Sequence, residues 1–254
     1  MKKIFLSELL ERTKMREVLQ KTGAGLESIR FGVSDNLDQL QQQLREAKED
    51  LQYFGEPDLY LHGPFLDLNP MSYDSAVRRV TMDRFNACYE AATELGAKGI
   101  VYHSCMLPQI YFTTGWAERM ADFWNEFLEG KAGIPVRMEN VLDRDINCFV
   151  DVAKRVEHPD FGLCLDIGHA HCYSGHPVSE WIKEAAPYLG HIHVHIHVHD
   201  NMGVHDQHLG LGKGTVPYEK LLSELEMLPQ ELTWTIECQT TEDDLESYRR
   251  LSEG

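Results

Sequence analysis

The stretch GLCLDIGHAH, residues 162–171, is the most informative part of this chain for its fold. A short apolar run ends at Asp166, and an imidazole follows three residues later at His169. A brief apolar run bounded by polar residues is typical of a buried strand. We therefore predict a strand over Gly162–Asp166 that ends in metal-binding or catalytic side chains.

The same pattern, an apolar run followed by an acidic or imidazole side chain, recurs along the chain. It is found in LYLH (59–62), GIVYH (99–103), IPVRME (134–139), the HIHV stretch and WTIE (234–237). Metals bind neutral imidazole and ionised carboxylate, so a fold that gathers strand ends at one rim would create a metal site. The candidate residues are His62, His103, Glu139, Asp166, His169, His197, Asp206, His208 and Glu237.

Strand and helix signals alternate from one end of the sequence to the other. Strands are predicted over Lys3–Ser7, Ser28–Gly32, Asp58–His62, Gly99–His103, Pro135–Glu139, Gly162–Asp166, Gly190–His199 and Leu232–Glu237. Helices are predicted over Met15–Lys21, Leu37–Phe54, Ser75–Leu95, Gly115–Leu128, Ile146–Val156, Pro177–Tyr188, Pro217–Met227 and Asp243–Ser252.

This alternation predicts an α/β fold, a single (β/α)₈ TIM barrel with a parallel eight-stranded sheet. Strands joined by helical crossovers run parallel, and about 250 residues is the usual size of such a barrel. The alternative is an open doubly wound sheet, which predicts a glycine-rich phosphate-binding turn after the first strand. The sequence has no such turn there, and no linker divides it, so we expect one domain over residues 1–254.

Composition narrows the class of protein. The chain has 24 Lys and Arg against 41 Asp and Glu, a net charge of −17, which disfavours binding to nucleic acid or an anionic membrane. The six cysteines form no CxxC pair, and the N-terminal MKKIFLSELLERTK is charged where a signal peptide is apolar. No apolar run approaches the length of a membrane span. These features indicate a reduced, cytoplasmic enzyme.

Seven segments together resemble the xylose-isomerase-like TIM barrels, a superfamily that includes sugar isomerases, sugar epimerases and apurinic endonucleases of the endonuclease IV type. The resemblance lies in the order and spacing of segments that span most of the chain. They are LHGPFLDLNP (61–70), VYHS (101–104), RMENV (137–141), CLDIGHAH (164–171), HIHVHDN (195–201), HDQHLGLGKG (205–214) and TIEC (235–238).

The resemblance implies roles for these residues. In the mononuclear isomerases and epimerases a divalent ion is held by four residues, which match Glu139, Asp166, His197 and Glu237, and the two glutamates are the implied catalytic pair. In the endonuclease IV branch, three zinc ions use these four residues and five others. The five further candidate ligands are His62, His103, His169, Asp206 and His208. One to three metal ions per chain are therefore expected.

Additional imidazoles bind substrate oxygens in the sugar-active relatives. His62, His103 and His169 are thus also candidate substrate-binding residues, and Lys213 could neutralise a phosphate or a sugar oxyanion. Each has a structural alternative: His62 precedes Gly-Pro and could cap a turn, and Lys213 could be a solvated loop charge. Three aromatic residues, Tyr111, Phe112 and Trp116, fit either an apolar wall over a small substrate or ordinary loop packing.

The stretch HIHVHIHVHD, residues 191–200, alternates imidazoles with Ile and Val. Alternation with period two predicts a strand with the imidazoles on one face, of which only those near the C-terminal end reach the rim. The family's HxHD pattern favours His197 as the ligand, with His199 next. His195 would replace it if a bulge shifted the register. The remaining imidazoles are expected to fill the barrel interior.

Two mechanisms are consistent with this rim. In isomerisation or epimerisation, a divalent cation polarises a carbonyl and an adjacent hydroxyl, while Glu139 and Glu237 move a proton on either side of the bound carbon. In phosphoester hydrolysis, adjacent metals generate hydroxide. The rim loops show no cluster of Lys or Arg for contacts to a nucleic-acid backbone, which weighs against DNA as the substrate. A metal-storing barrel has the least support, because storage does not need distinct ligands from so many strands.

We therefore predict a divalent-metal-dependent sugar or sugar-phosphate isomerase or epimerase. Zinc and manganese are favoured as the metal, with cobalt and magnesium less so, because the ligands include imidazole. The expected partner is a small carbohydrate, with neither nucleic acid nor membrane, and barrels of this type often form homo-oligomers. The alternative is an endonuclease-IV-like trinuclear zinc phosphoesterase.

Overall fold

A computed structural model describes residues 2–188, 194–198 and 200–253, and for 194–198 it describes the strand but not the side chains. The strands are β1 Lys3–Ser7, β2 Gly25–Ser28, β3 Leu59–His62, β4 Ile100–His103, β5 Val136–Glu139, β6 Phe161–Asp166, β7 Val194–Val198 and β8 Leu232–Ile236. The helices are α1 Arg12–Thr22, α2 Ser34–Asp38, α3 Leu40–Phe54, α4 Ser75–Leu95, α5 Trp116–Leu128, α6 Ile146–Arg155, α7 Ile167–Tyr173, α8 Val178–Ala185, α9 Tyr218–Glu226 and α10 Thr241–Glu253.

The strands pair in parallel and follow chain order around a closed barrel. The last strand returns to the first, with Lys3 beside Thr233 and Phe5 beside Thr235. The predicted α/β class with a parallel sheet is confirmed. Because the strands are parallel, their C-terminal ends share one rim of the barrel.

Apolar side chains fill the layer between the strands and the helices around them. Phe85 of α4 stacks on Tyr102 of β4 with ring centroids 4.2 Å apart, and Trp124 and Phe127 of α5 pack against the same pair. All four side chains are buried. Fully burying one such ring contributes about 1.5–3 kcal/mol, so this layer holds α4 and α5 against the barrel. Within the barrel a smaller cluster joins Phe5, Tyr60, Val101 and Cys164.

Two element predictions were wrong, and one helix was missed. The second strand is Gly25–Ser28 rather than Ser28–Gly32, and residues 30–32 form a 3-10 turn instead. The helix predicted over Leu37–Phe54 is two helices, α2 and α3, that meet at Gln39. A short helix, α7, begins directly after Asp166 and was not predicted.

The strand predicted over Gly190–His199 is described only over β7, Val194–Val198. Its remaining residues, which include His191, His193 and His199, lie outside the described part of the chain. Within the described residues, every helix is too short or too polar to cross a lipid bilayer.

Candidate metal centre

Four strands end at predicted site residues. β3 ends at His62, β4 at His103, β5 at Glu139 and β6 at Asp166. His103 and Glu139 are register partners on neighbouring strands, so their side chains leave the sheet together. Glu237 directly follows β8, which ends at Ile236. The parallel sheet thus brings these groups to the same rim.

His62, His103 and Glu139 form the first ligand cluster. The Nε2 atoms of the two imidazoles are 3.1 Å apart, and each is 3.6 Å from Oε2 of Glu139. The glycine after His62 lets Tyr102 of the next strand pack closely against the backbone, because a Cβ on Gly63 would lie 2.2 Å from the Tyr102 ring. One nitrogen from each imidazole and one carboxylate oxygen can therefore face a common point.

Glu139, Asp166 and His169 form the second cluster, on the neighbouring strand ends. Nδ1 of His169 is 3.2 Å from Oε1 of Glu139 and 3.4 Å from Oδ2 of Asp166. Asp166 also caps α7, since its Oδ1 accepts the backbone N–H of His169 at 2.6 Å. This cap explains why an aspartate followed three residues later by a histidine places both side chains at one site.

The third cluster joins the rim to the loop after β7. Oδ2 of Asp206 lies 3.1 Å from Nε2 of His169 and 3.0 Å from Nε2 of His208. His208 also reaches β8, because its Nδ1 is 3.6 Å from Oε2 of Glu237. Predicted site residues at the ends of five strands and in one loop are therefore connected through short imidazole–carboxylate contacts.

Asp200 holds this loop in place. Its buried carboxylate accepts the backbone N–H groups of Asn201 and Gly214 at 2.7 Å and those of Gly212 and Val216 at 3.0 Å. Its own backbone exchanges two hydrogen bonds of 3.0 Å with Leu209. Leu209 directly follows His208 in the sequence. The bonds between Asp200 and this residue therefore hold the end of the segment that carries Asp206 and His208.

The electrostatics of the rim favour positive charge near its carboxylates. Burial would lower the pKa of His169, but Asp166, Asp206 and Glu139 outweigh burial and hold that pKa well above its ordinary value. Burial likewise opposes protonation of His208, yet Asp206 and Glu237 raise its pKa to about 9. At His103 burial dominates and lowers the pKa to about 3, which keeps that imidazole neutral. The rim therefore combines neutral donor nitrogen with a field that attracts cations.

The other predicted residues are placed as follows. His197 lies within β7, in register with Asp166 on one side and Thr235 on the other, and its side chain is not described. His195 lies two residues earlier in the same strand, in register with Cys164. Lys213 forms an ion pair with the carboxylate of Asp243 at the start of α10. Its predicted contact with substrate stays a prediction.

Sequence reasoning missed Asn140 and Phe65. The side chain of Asn140 accepts the backbone N–H of Asp166 at 2.8 Å and donates to its carbonyl at 3.0 Å, tying β5 to β6 at the rim. Phe65 stacks on His103 with ring centroids 4.4 Å apart. Both residues lie in segments that resemble the family, RMENV and LHGPFLDLNP, but their contacts depend on neighbouring strands that the sequence does not reveal.

The donor set fits a divalent metal. In each of the three clusters, one ligand atom per residue lies within 4.8 Å of the others. Metal-binding histidines generally direct their second ring nitrogen at a carbonyl or carboxylate. Nδ1 of His62, His169 and His208 lies 2.9, 3.0 and 3.2 Å from the backbone carbonyls of Gly63, Asn140 and Glu237. The Nε2 atoms of His62 and His208 are thereby oriented toward Glu139 and Asp206, and Nε2 of His169 also faces Asp206.

Fold and rim together define a parallel α/β barrel with imidazole and carboxylate groups at its strand ends. The chain belongs to the xylose isomerase-like TIM barrel family, whose model matches residues 20–252. A relative in Methanocaldococcus jannaschii, the uncharacterized protein MJ1311, is 28% identical over 210 residues, which cover 78% of this chain and 70% of the relative.

Solved structures share the fold. A D-tagatose 3-epimerase-like protein matches with a TM-score of 0.80 and 21% identity, covering 99% of this chain and 96% of the other. The IOLI protein with a bound zinc atom matches with a TM-score of 0.74 and 18% identity, covering 99% and 95% of the two chains. These two likenesses show the shared fold, whereas the family is established by its model over residues 20–252.

Proposed function

We propose that this protein is a divalent-metal-dependent isomerase or epimerase of a sugar or sugar phosphate. The observation that carries the proposal is that Glu139 and Asp166, which end neighbouring strands, are buried and lie with His169 so that one ligand atom of each is within 4.8 Å of the others. The likeness to a D-tagatose 3-epimerase-like protein and to a zinc-bound protein supports this class of reaction and of cofactor.

Glu139, Asp166, His197 and Glu237 are the proposed ligands, and zinc or manganese is the favoured ion. When bound, such an ion polarises a carbonyl and the adjacent hydroxyl of the substrate. Glu139 is 1% exposed, so a carboxylate there is shielded from water and close to the imidazoles of His62 and His103. Shielding from water strengthens its interaction with a substrate proton.

The two glutamates divide the proton transfer between them. One carboxylate removes the proton from the carbon next to the carbonyl, and the other returns a proton, on the opposite face for an epimerase. Glu237 is held next to His208, whose Nδ1 is 3.6 Å from its carboxylate. His62, His103 and His169 are proposed to bind substrate hydroxyls, and Lys213 a phosphate or oxyanion.

Exchange of solvent deuterium into a ketose tests this proposal. Zinc- or manganese-loaded protein is incubated in D₂O with D-fructose, D-tagatose or a pentulose phosphate, and the C–H signal beside the carbonyl is followed by NMR. A general base contributes about 10²–10⁴-fold, so Glu139→Gln and Glu237→Gln should each slow exchange at least about a hundredfold. Glu129→Gln, an exposed change beyond the end of α5, is the matched control and should leave exchange unchanged.

Exchange that is equally fast in Glu139→Gln and Glu237→Gln would contradict the assignment of the two glutamates. Metal content separates this function from the alternative. One ion per chain that is lost in Glu139→Gln supports the isomerase. Three zinc ions, together with cleavage of an abasic duplex or of a small phosphate ester, would replace it with hydrolysis.

The alternative, an endonuclease-IV-like trinuclear zinc phosphoesterase, is favoured by one specific observation. The three clusters share members, Glu139 between the first two and His169 between the last two. Shared ligands would hold neighbouring metal ions next to one another in a polynuclear site. The net charge of −17 argues for a small phosphate ester rather than DNA as its substrate. Organisation as one (β/α)₈ domain over residues 1–254, a cytoplasmic location and homo-oligomer formation stay predictions.

A further inference from the structure

A cavity of about 480 Å³ opens beside the first ligand cluster. Its size lies within the roughly 300–1,000 Å³ that small-molecule sites commonly have. His103 belongs both to the ligand cluster and to the wall of this cavity. The rest of the wall comes from the loops that follow β3, β4 and β5 and from the start of α4, and includes Phe65, Leu68, Val77, Met106, Leu107 and Leu142.

Two polar side chains of this wall, those of Asn69 and Ser72, already have partners, and the carboxylate of Asp67 is exposed to solvent. The amide of Asn69 donates to the hydroxyl of Tyr111 at 2.7 Å, and its oxygen accepts the backbone N–H of Met71 at 3.0 Å. The hydroxyl of Ser72 accepts the backbone N–H of Asp74 at 3.2 Å. A sugar hydroxyl buried there would give up its bonds to water for few new ones, which is unfavourable. The cavity is therefore suited to carbon rather than to a polyol chain.

Phe65 connects the cavity to the ligand cluster. Its ring stacks on His103 at 4.4 Å and meets His62 edge-on at 5.3 Å. A molecule with oxygen atoms at these imidazoles would extend along Phe65 into the apolar space. Apolar side chains also continue outward at the mouth, where Leu66 is 52% and Leu107 is 39% exposed.

We propose that this cavity binds an apolar alkyl or aryl group of the substrate, joined to the oxygen-bearing end that reacts at the ligand cluster. The substrate would then be a hydroxy-carbonyl compound with an apolar substituent rather than an unsubstituted sugar. The inference rests on the proposed function for the identity of the reacting end. The apolar walls and their contact with His103 support the assignment of the cavity to the apolar part of the substrate.

Two α-hydroxyketones that differ only in their tail test this inference. Hydroxyacetone and 1-hydroxy-2-octanone share the reacting group, and the second adds five methylenes. Their binding to zinc-loaded and to chelator-treated protein is measured by calorimetry or ligand-detected NMR. Each fully buried methylene corresponds to about fourfold in Kd, so with partial burial the octanone should bind at least about tenfold more tightly.

Leu107→Asp places a charge at the mouth of the cavity, on a side chain that is already 39% exposed. It should remove most of the preference for the longer tail and leave the affinity for hydroxyacetone unchanged. Met227→Asp is the matched control, because Met227 is 76% exposed at the end of α9, away from the cavity. This variant should keep the wild-type preference.

Equal affinity of the wild-type protein for both ketones would overturn the inference. So would a preference that Leu107→Asp and Met227→Asp retain alike. Dimers in sedimentation that Leu107→Asp dissociates, with no preference for the longer tail, would assign the cavity to a second copy of the chain instead. If the proposed function is wrong, solvent exchange will be absent while the preference for the longer tail remains. If this inference is wrong, solvent exchange will be present without a preference for the longer tail.

Discussion

Replacing Asp244 with asparagine should make the free energy of unfolding less sensitive to pH. The variant should become more stable relative to the wild type as pH rises. Asp244 lies in the first turn of α10 and its side chain is fully buried. Burial, and then the neighbouring charge of Asp243, raises the pKa of this carboxyl from 3.8 to about 8. The folded protein therefore retains a proton on Asp244 at pH values where the unfolded chain has released it.

The sign and size of the effect follow from this difference. Between pH 4 and pH 8 the folded state binds more protons than the unfolded state, so the free energy of unfolding falls as pH rises. Each pH unit in that interval corresponds to about 1.4 kcal/mol. The N-terminus of α10 favours the ionised carboxylate and offsets about 1 kcal/mol of this effect. The free energy of unfolding should therefore fall by roughly 3 kcal/mol between pH 5 and pH 8. An asparagine at position 244 does not titrate and avoids this loss.

Urea unfolding of metal-free protein at pH 5 and pH 8 measures the effect. The free energy of unfolding of Asp244→Asn, relative to wild type, should rise by about 3 kcal/mol from the lower to the higher pH. Any cost of burying the amide is independent of pH and cancels in this comparison. Asp122→Asn, at an exposed position of α5, should show no such rise. A difference between Asp244→Asn and wild type that is the same at both pH values would refute the reasoning.

Two further predictions concern the loop after β7. In Gly214→Ala the added Cβ would lie 2.2 Å from the carbonyl of Asn201 and from the carboxylate of Asp200, so we expect a loss of about 3 kcal/mol or more in urea unfolding. Gly23→Ala, at φ +69° with no atom within 4 Å of the new Cβ, should lose only about 1–2 kcal/mol. Asp200→Ala leaves four backbone N–H groups without their acceptor and should cost about 3 kcal/mol or more. It should also weaken zinc binding in a competition titration, and unchanged zinc affinity would contradict the role given to Asp200.

Much of the fold could be predicted because strand ends and helix spacing are local signals. The second strand could not. Residues 28–32, SIRFG, look like a strand, but Arg30 turns toward α3, where its guanidinium pairs with Glu46 and Asp50. The true strand starts at Gly25, where a Cβ would lie 2.3 Å from the ring of Phe5. Its position depends on a contact with β1 that is distant in sequence.

The site residues likewise differ in how far local sequence signals predict their positions. His62, His103, Glu139 and Asp166 end strands, and parallel pairing alone brings them to one rim. Their predicted proximity therefore needed only the right topology. Lys213 differs because it lies in a loop. Its ion pair with Asp243 joins that loop to α10, and nothing in the local sequence indicates this partner.

Asp206 and His208 show why loops are harder to predict than strand ends. Their distances to His169 and Glu237 depend on how the chain returns to the rim after β7, and Asp200 sets that return through backbone N–H groups up to residue 216. The glycines at 212 and 214 are visible in the sequence, yet their amides matter only because a buried carboxylate accepts from them. A loop residue can therefore be assigned to a site only when the group that holds the loop is also known, and here that group is the aspartate that ends the histidine-rich stretch.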